Sequence, residues 1–378
     1  MITSYYAEAV GQLETEGNLR RLPDTADRHL VDLSSNDYLG LAARRDLREE
    51  FYAGRDVAAL PLTSAASRLL AGRQEEHTAL ENYLNTLYGR EILTANSGYH
   101  ANVGQVAALG SAPDTLIIAD KLVHASIIDG IRLSGAPFER FRHNDMAHLE
   151  RLLARGAGRY SRVWVITESV FSMDGDTAPI DELAALKRRY DNVGLYVDEA
   201  HAIGVEGEGG LGLCRSSQAY ADIDVVVGTF GKAAASMGAF AAVSPALKSY
   251  FVNRSRAHIF STALPPLQAA WTLHVMRHIV GIDTERAHLK TLGARLRDRL
   301  AALGSESSGS HIQPFIVGSP HRAVALSKSL AAEGFKVLPI RVPTVPPGTD
   351  RLRISLSASL TPEQIDRFAD TLATIVSQ

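Results

Sequence analysis

Cysteine is nearly absent from this chain of 378 residues, which contains only Cys214. A single thiol cannot form a disulfide within the chain, and sparse cysteine is typical of proteins in reducing compartments. Clusters of cysteine and histidine with the spacing of zinc ligands are also absent from the sequence. We therefore expect a cytoplasmic protein without a metal site.

Long apolar runs and a strong excess of one charge are missing as well. No uninterrupted apolar run is long enough to span a bilayer, and the N-terminal residues lack the basic and apolar regions of a signal peptide. The formal net charge is −3 at pH 7, whereas nucleic-acid-binding domains are normally strongly basic. The sequence therefore predicts no membrane partner and no nucleic-acid partner.

Hydrophobic residues make up 46% of the chain and charged residues 21%, which is ordinary for a globular enzyme. Short apolar strands alternate with helical segments over most of the sequence. This alternation predicts an α/β fold with a doubly wound, mostly parallel sheet. The predicted strands end at Ala95, Ala119, Thr167, Val197 and Gly228.

The pattern changes after the pair Pro265 and Pro266. Two long helical segments follow, and then short strands alternate with helices in a region typical of a compact α+β domain. The sequence thus suggests three parts. They are an N-terminal arm over residues 1–36, a large domain over 37–273 and a smaller C-terminal domain over 274–378.

Polar residues follow two of the predicted buried strands. Asp198 comes directly after the apolar run Leu195–Val197, His201 lies three residues further on, and Lys232 follows the strand that ends at Gly228. Because parallel strands end at the same edge of a sheet, we expect the three side chains to share a crevice. A lysine there can form a Schiff base, and a carboxylate can keep a pyridine nitrogen protonated. Together they describe a site for pyridoxal phosphate.

The segment Asp198–His201 has another reading, because Asp-Glu-Ala-His is also the metal-binding box of helicases. That reading requires a phosphate loop of the form G-x-x-x-x-G-K-[ST], which the sequence lacks. The stretch Gly207–Gly212 matches G-x-G-x-x-G but does not join a strand to a helix, so we interpret it as a surface loop. A nucleotide-binding protein and a catalytically silent module that binds pyridoxal phosphate are the alternatives from other classes.

A small polar turn connects the predicted strand Glu91–Ala95 to the next helix. Ser97, Gly98 and Tyr99 stand where that helix begins. Backbone N–H groups and a serine hydroxyl at a helix N-terminus can bind a phosphate. An ordinary helix cap explains the same residues, so the turn by itself leaves both interpretations open.

Six stretches, in sequence order, resemble motifs of the α-oxoamine synthase family of fold-type I pyridoxal phosphate enzymes. The resemblance extends over essentially the whole chain. It implies a homodimer in which each subunit contributes to the other's active site. The six stretches are Ser35–Gly40, Asp120–Ser126, Glu168–Gly175, Asp198–His201, Gly228–Lys232 and Thr344–Arg353.

The resemblance also implies roles in cofactor binding and catalysis. Lys232 would form the Schiff base, Asp198 would bind the pyridinium nitrogen, and His124 would stack on the ring and stabilise charge on oxygen during the reaction. His201 and Ser172 would bind the phenolic oxygen. The residues expected at the phosphate are Ser97, Gly98, Tyr99 and Thr229, with Thr262 reaching the phosphate of the neighbouring subunit.

For the substrates, the resemblance implies a decarboxylative condensation of an amino acid with an acyl thioester. L-Alanine and a pimeloyl thioester of coenzyme A or of an acyl-carrier protein are favoured. A glycine-using ligase or a serine palmitoyltransferase is the alternative within the family. Asn36 and Arg353 would bind the carboxylate, Glu168 would lie near the stacking histidine, and Arg20 and Thr344 would contact the substrate.

The sequence departs from the family pattern in two places. Ala358–Leu360 stands just beyond the arginine of the C-terminal motif, where many relatives have a histidine. Ala233–Ser236 replaces a leucine-glycine or phenylalanine-glycine pair that is common after the lysine. These departures concern the wall of the acyl pocket and the packing beneath the cofactor.

Overall fold

The computed structural model describes residues 2–22, 29–72 and 74–377. By its contacts the chain falls into two compact units. The sheet unit consists of Leu39–Phe171 and Thr177–Arg286. The terminal unit consists of Met1–Tyr38, Ser172–Asp176 and Ala287–Gln378. The arm and two domains suggested by the sequence stay a prediction.

The described residues form fourteen α-helices and twelve strands. The helices are α1 (Ile2–Thr15), α2 (Arg45–Ala53), α3 (Glu75–Tyr88), α4 (Gly98–Gly110), α5 (Ala125–Ser134), α6 (Met146–Gly156), α7 (Ile180–Lys187), α8 (Leu213–Ser216), α9 (Pro245–Arg254), α10 (Arg256–Ile259), α11 (Pro266–Ile279), α12 (Asp283–Ala301), α13 (Pro320–Ala332) and α14 (Pro362–Ser377). The strands are β1 (Val31–Asp32), β2 (Glu91–Ala95), β3 (Thr115–Asp120), β4 (Phe138–Phe141), β5 (Arg162–Glu168), β6 (Val193–Asp198), β7 (Val225–Thr229), β8 (Ala239–Val243), β9 (Ile312–Ile316), β10 (Phe335–Lys336), β11 (Leu338–Ile340) and β12 (Arg351–Ser355). Among the described helices, none combines the length and the apolar character needed to cross a bilayer.

A seven-stranded sheet forms the centre of the sheet unit, with the strand order β2-β8-β7-β6-β5-β3-β4. Strand β8 runs antiparallel to both of its neighbours, and the other pairings are parallel. All residues of β3, β7 and β8 are buried, as expected for a sheet that is covered on both faces. The α/β fold with a mostly parallel sheet is therefore confirmed.

Strand direction brings several polar residues to one edge of this sheet. Because β8 is antiparallel to both β2 and β7, strands β2, β7, β6, β5 and β3 all point the same way. We call the edge where they end the carboxyl edge. Ligand crevices of open α/β sheets lie at this edge. The last residues of the five strands are Ala95, Thr229, Asp198, Glu168 and Asp120.

An apolar cluster packs α4 and α5 against the sheet, and it includes the buried residues Ile127, Tyr196 and Val227. Side chains two residues apart on a strand point to the same face. Tyr196 and Asp198 of β6 accordingly face α4, where both form hydrogen bonds with Asn102. The packing of the core therefore fixes the direction in which Asp198 projects.

The terminal unit contains an antiparallel sheet in the order β11-β12-β9 and a parallel pair formed by β1 and β10. Phe335 of β10 packs edge-on against Phe368 of α14, with ring centroids 5.5 Å apart. These elements confirm the α+β character expected of the C-terminal region. Helix α1 lies within the predicted arm and buries none of its residues.

Candidate active site

Lys232 and His201 are in direct contact at the carboxyl edge. Lys232 lies in the loop between β7 and β8, and its Nζ is 2.8 Å from Nε2 of His201. The loop turns back on itself because Ala235 has a φ of 43° and donates its N–H to the carbonyl of Lys232 at 2.8 Å. His201 is buried and follows the end of β6 by three residues. The amine and the imidazole therefore share one crevice.

Asp198 ends β6 and is buried, with 4% of its surface exposed. Its Oδ2 accepts a hydrogen bond from Nδ2 of Asn102 at 2.6 Å, and its Oδ1 accepts one from the backbone N–H of Ala200 at 2.8 Å. These donors compensate a buried negative charge. Both oxygens act as acceptors, which suits a carboxylate that must face a cationic N–H.

His124 caps the N-terminus of α5 and remains exposed. Its Nδ1 lies 2.7 Å from the hydroxyl of Ser126 and accepts the backbone N–H of the same serine at 3.2 Å. Desolvation of the imidazole lowers the pKa of His124. The charge of Asp198 opposes this change, and the charge of Lys232 lowers the pKa further. The imidazole is thus neutral at neutral pH and has an open face.

Glu168 ends β5 directly beside Asp198 in the sheet register. It is 2% exposed, and burial raises its pKa well above the usual range. The charge of Asp198 adds to this rise, while Lys232 and the backbone N–H of His124 oppose it. The charges of Lys232 and Asp198 therefore both shift the pKa of Glu168, as they shift the pKa of His124. Among the described residues, Oε1 of Glu168 has no hydrogen-bond partner.

The turn between β2 and α4 also opens at the carboxyl edge. Ser97 caps α4, and its hydroxyl accepts the N–H of His100 at 3.2 Å. The next amides, of Gly98 and Tyr99, are the first of the helix and have no acceptor within it. A Cβ built on Gly98 would lie 3.6 Å from Oγ1 of Thr229. The helix N-terminus and the end of β7 thus form a polar cradle.

Two residues predicted for the phosphate have other contacts through their side chain or backbone. The hydroxyl of Tyr99 donates to Asp129 at 2.7 Å, so its amide is the group that faces the cradle. Thr262 is exposed, and its carbonyl accepts a hydrogen bond from Nδ2 of Asn96 at 2.5 Å. The predicted contact of Thr262 with a neighbouring subunit stays a prediction.

In the terminal unit, the structure brings together Arg353, Asn36 and Ser172. Nε of Arg353 donates to the carbonyl of Ser172 at 2.5 Å, and Nη1 donates to Oδ1 of Asn36 at 3.2 Å and to the hydroxyl of Ser355 at 2.6 Å. Nη2 donates to the hydroxyl of Tyr38 at 3.3 Å. A guanidinium has five N–H groups, so the four hydrogen bonds found among the described residues leave one N–H on Nη2 for a further acceptor.

Arg20 and Thr344, expected to contact substrate, lie together in the same unit. Nη2 of Arg20 donates to Oγ1 of Thr344 at 3.2 Å. Arg341, which the motif reading missed, is buried beside them and donates through Nη1 to the carbonyl of Gly17 at 2.6 Å. Burial and the charge of Arg20 lower the pKa of Arg341, and Asp350 opposes this. Among the described residues, Nε of Arg341 has no partner.

Sequence reasoning also missed Asn102 and Ser126, which are 2% and 0% exposed. A signal was present for Asn102. It stands four residues after Gly98, on the same face of α4 as the first turn, within an otherwise largely apolar helix. In the described part of the chain, no cluster of histidine, cysteine and acidic residues could hold a metal ion.

Comparison with known proteins matches residues 28–372 to the family described as "Aminotransferase class I and II". The chain is 44% identical to the 8-amino-7-oxononanoate synthase of Chlorobaculum parvum (strain DSM 263 / NCIMB 8327), and the match covers 100% of both chains. These matches confirm the resemblance carried by the six motifs.

Solved structures agree with this assignment. The chain is similar to serine palmitoyltransferase from Sphingomonas wittichii, with a TM-score of 0.84, 30% identity and coverage of 91% of this chain and 86% of the other. It is also similar to 8-amino-7-oxononanoate synthase from Francisella tularensis, with a TM-score of 0.78, 27% identity and coverage of 92% and 98%. Similarity of fold alone does not distinguish the two activities.

Proposed function

We propose that this chain, which belongs to the aminotransferase class I and II family, is a pyridoxal phosphate-dependent acyltransferase that makes 8-amino-7-oxononanoate. The reaction is the decarboxylative condensation of L-alanine with a pimeloyl thioester. The observation that carries the proposal is the contact of Lys232 with His201. In the same site, the charges of Lys232 and Asp198 both shift the pKa values of His124 and Glu168. The identity of 44% to the synthase of Chlorobaculum parvum supports this choice among related activities.

The residues at the carboxyl edge fit pyridoxal phosphate. The cradle of Ser97, Gly98 and Thr229 offers the first amides of α4 to a phosphate, while the hydroxyl of Thr229 donates to the carbonyl of Gly238 at 3.1 Å. Asp198 would bind the ring nitrogen, and the open face of His124 would lie against the ring. When bound, the cofactor supplies a ring that stabilises negative charge at the Cα of an attached amino acid.

Lys232 has two roles in this proposal. Its Nζ would bond covalently to the cofactor until the amino acid replaces it, and the amine would then take the proton from Cα. His201 contacts Nζ at 2.8 Å and would orient the amine for that transfer. Ser172 would join His201 at the phenolic oxygen. Glu168, whose pKa is raised by burial, has an oxygen without a partner among the described residues, and this oxygen would meet the substrate.

Arg353 and Asn36 would bind the carboxylate of the amino acid. One N–H of Nη2 is available beyond the four hydrogen bonds that Arg353 already makes. Arg353 is only 4% exposed, so a carboxylate that accepts this N–H would be largely shielded from water. A charge-assisted hydrogen bond is strong in such an environment.

The acyl substrate is proposed to end in an anionic group. Arg20 and the buried Arg341 lie close enough for the charge of one to lower the pKa of the other. Such repulsion is relieved by a bound anion, and the unpaired Nε of Arg341 and the hydroxyl of Thr344 would add hydrogen bonds. A pimeloyl chain carries this anion, whereas a palmitoyl or acetyl chain does not. The observation favours the synthase over the serine palmitoyltransferase type.

A homodimer with shared sites is also proposed. Leu69, Leu70 and Phe260 are large apolar residues with exposures of 51%, 78% and 69%. Phe260 is two residues from Thr262, the residue proposed to reach the phosphate of the second copy. Burial of these side chains against a second copy would remove apolar surface from water. Sedimentation of the purified chain would distinguish dimer from monomer.

The test supplies the purified chain with each of L-alanine, glycine and L-serine, and with pimeloyl, acetyl and palmitoyl coenzyme A in turn. Mass spectrometry identifies the ketone. We expect product at the mass of 8-amino-7-oxononanoate from alanine and the pimeloyl thioester. A product formed preferentially from serine and the palmitoyl thioester would replace this proposal by its alternative. Pimeloyl-carrier protein as donor would then show which thiol carrier is preferred.

A further inference from the structure

A chain of hydrogen bonds connects Asp198 to His124 through two side chains that the motifs did not assign. Nδ2 of Asn102 donates to Oδ2 of Asp198 at 2.6 Å and to the hydroxyl oxygen of Ser126 at 2.9 Å. The hydroxyl of Ser126 is in turn 2.7 Å from Nδ1 of His124. All the links are internal to the sheet unit, and Asn102 and Ser126 are buried.

Asp198 determines which groups donate and which accept along this series of hydrogen bonds. Both oxygens of this carboxylate accept hydrogen bonds, one of them from the backbone N–H of Ala200. Asn102 must therefore turn its NH₂ group, and not its carbonyl, toward Asp198. The hydroxyl of Tyr196 donates to Oδ1 of Asn102 at 2.7 Å, which agrees with this orientation of the amide.

The orientation of Asn102 determines the proton positions that follow. Its NH₂ group has two hydrogens, and the second is donated to the oxygen of Ser126. The hydroxyl of Ser126 then has its own hydrogen left for Nδ1 of His124. The backbone N–H of Ser126 also points at this nitrogen, at 3.2 Å. With two donors directed at it, Nδ1 of His124 carries no proton.

We propose that Asn102 and Ser126 are positioning residues that hold His124 as the neutral tautomer with its proton on Nε2. The ring then presents an N–H donor on its open side, opposite the hydrogen-bonded nitrogen. Protonation of Nδ1 would place its proton against the N–H of Ser126. In the reaction, Nε2–H would stabilise negative charge on a substrate oxygen. That catalytic meaning depends on the proposed function, whereas the tautomer itself does not.

Four charged or titratable groups face His124. Lys232 lowers its pKa, and Asp198 and Asp129 raise it. The side chain of Glu168 accepts the backbone N–H of His124. Asp129 stands one helical turn along α5 and its carboxylate accepts the hydroxyl of Tyr99, so part of its charge is compensated.

Nuclear magnetic resonance of the full chain, labelled with ¹⁵N in its histidine rings, tests the proposal directly. The His124 signals are assigned by their loss in His124→Gln. In the wild type we expect the shift of an unprotonated nitrogen at Nδ1 and of a protonated nitrogen at Nε2, with pyridoxal phosphate bound and after its removal. A proton on Nδ1 of His124 in the wild type would overturn the proposal.

Ser126→Ala removes the hydroxyl donor and is compared with Ser134→Ala, a serine of the same helix whose hydroxyl donates to a helix carbonyl. Ser126→Ala keeps the backbone N–H as the second donor to Nδ1. We therefore expect the fraction of His124 that is protonated on Nδ1 to rise above that of the wild type, and the pKa of His124 to rise by about half to one unit, the size of one lost hydrogen bond. Ser134→Ala should leave both unchanged. A folded Ser126→Ala with the tautomer and pKa of the wild type would contradict the proposal. If Ser126→Ala does not fold, the wild-type spectrum still decides. An enzyme with the expected tautomer but no synthase activity would refute the proposed function alone.

Discussion

The Nζ atom of Lys232 lies 2.8 Å from Nε2 of His201, although the two residues belong to loops that follow different strands of the sheet. The contact joins the end of β7 to the end of β6, where Asp198 is held by Asn102 and by the backbone. It makes the position of the lysine amine dependent on an imidazole. Catalysis should therefore be sensitive to His201 as well as to Lys232, the residue proposed to react.

Replacement of His201 tests this dependence. His201→Ala leaves Lys232 in its loop but removes the ring that orients its amine, so we expect the cofactor to bind and kcat to fall roughly 10²-fold, as for loss of a proton-transfer partner. The absorption spectrum reports cofactor binding, and release of the coenzyme A thiol gives kcat. A variant with unchanged kcat would show that the contact has no part in the reaction.

Gly98→Ala tests the phosphate cradle. A Cβ at this position would meet Thr229 at 3.6 Å, an ordinary contact, so the fold should tolerate it. The methyl group would nevertheless occupy space beside the first helix amides. We expect the Kd for pyridoxal phosphate to rise about 10-fold, which corresponds to roughly 1.4 kcal/mol. Absorbance titration measures Kd.

Gly281→Ala is the matched control for the cradle, because its Cβ would approach only the carbonyl of His278, at 3.7 Å. The control should bind pyridoxal phosphate like the wild type. Equal Kd values for Gly98→Ala and the control would place the phosphate elsewhere.

Arg20→Gln tests the recognition of the acyl terminus. Loss of one charged donor costs about 1.5–3 kcal/mol, so KM for the pimeloyl thioester should rise roughly 10-fold to 100-fold. The methyl ester of the same thioester lacks the anion, and its KM should be nearly the same in variant and wild type. Arg322→Gln, in α13, is the control for a general loss of positive charge. An equal rise in KM for acid and ester would contradict a role in binding the anion.

Glu199 predicts a pH dependence of stability. Its side chain is fully buried, and burial raises its pKa to about 7, although the N–H of Cys214 donates to it at 3.0 Å. In the unfolded chain a glutamate titrates near its ordinary value, about 4.3. The folded protein therefore binds the proton more tightly, and stability from this group falls as the pH rises from about 4 to about 7.

Urea unfolding at pH 5 and pH 8 measures this effect, with Glu199→Gln as the reference that cannot titrate. Between these two pH values the wild type should lose about 2–3 kcal/mol more unfolding free energy than the variant. The same change in both proteins would mean that Glu199 is charged in the fold.

The sequence predicted the strands that carry the site because each combines β-branched residues with an abrupt polar end. Strand β2 ends at Ala95, as expected, and β6 ends at Asp198, one residue beyond the predicted Val197. Strand β8, Ala-Phe-Ala-Ala-Val, was missed because alanine has little β propensity. Its antiparallel pairing with β7 follows from the connection over residues 230–238, which is shorter than the dozen or more residues that a parallel crossover needs.

The residues of the candidate site likewise fall into those that the sequence identifies and those that only the structure identifies. Lys232, Asp198 and His124 stand in motifs and could be named from sequence, but their supporting side chains could not. Asn102 contacts a carboxylate 96 positions away, and such pairing depends on how α4 packs on the sheet. Arg341 has no local pattern that separates it from a surface arginine. Its significance comes from burial beside Arg20.

The central claim is that Lys232 is the residue that bonds to pyridoxal phosphate, and borohydride reduction tests it most directly. The full chain is incubated with the cofactor, reduced, digested and mapped by mass spectrometry, with Lys232→Ala treated in parallel. We predict a pyridoxyl group on the peptide that contains Lys232, and none on the variant. A stoichiometric adduct on another lysine, or an adduct that persists in Lys232→Ala, would contradict the account.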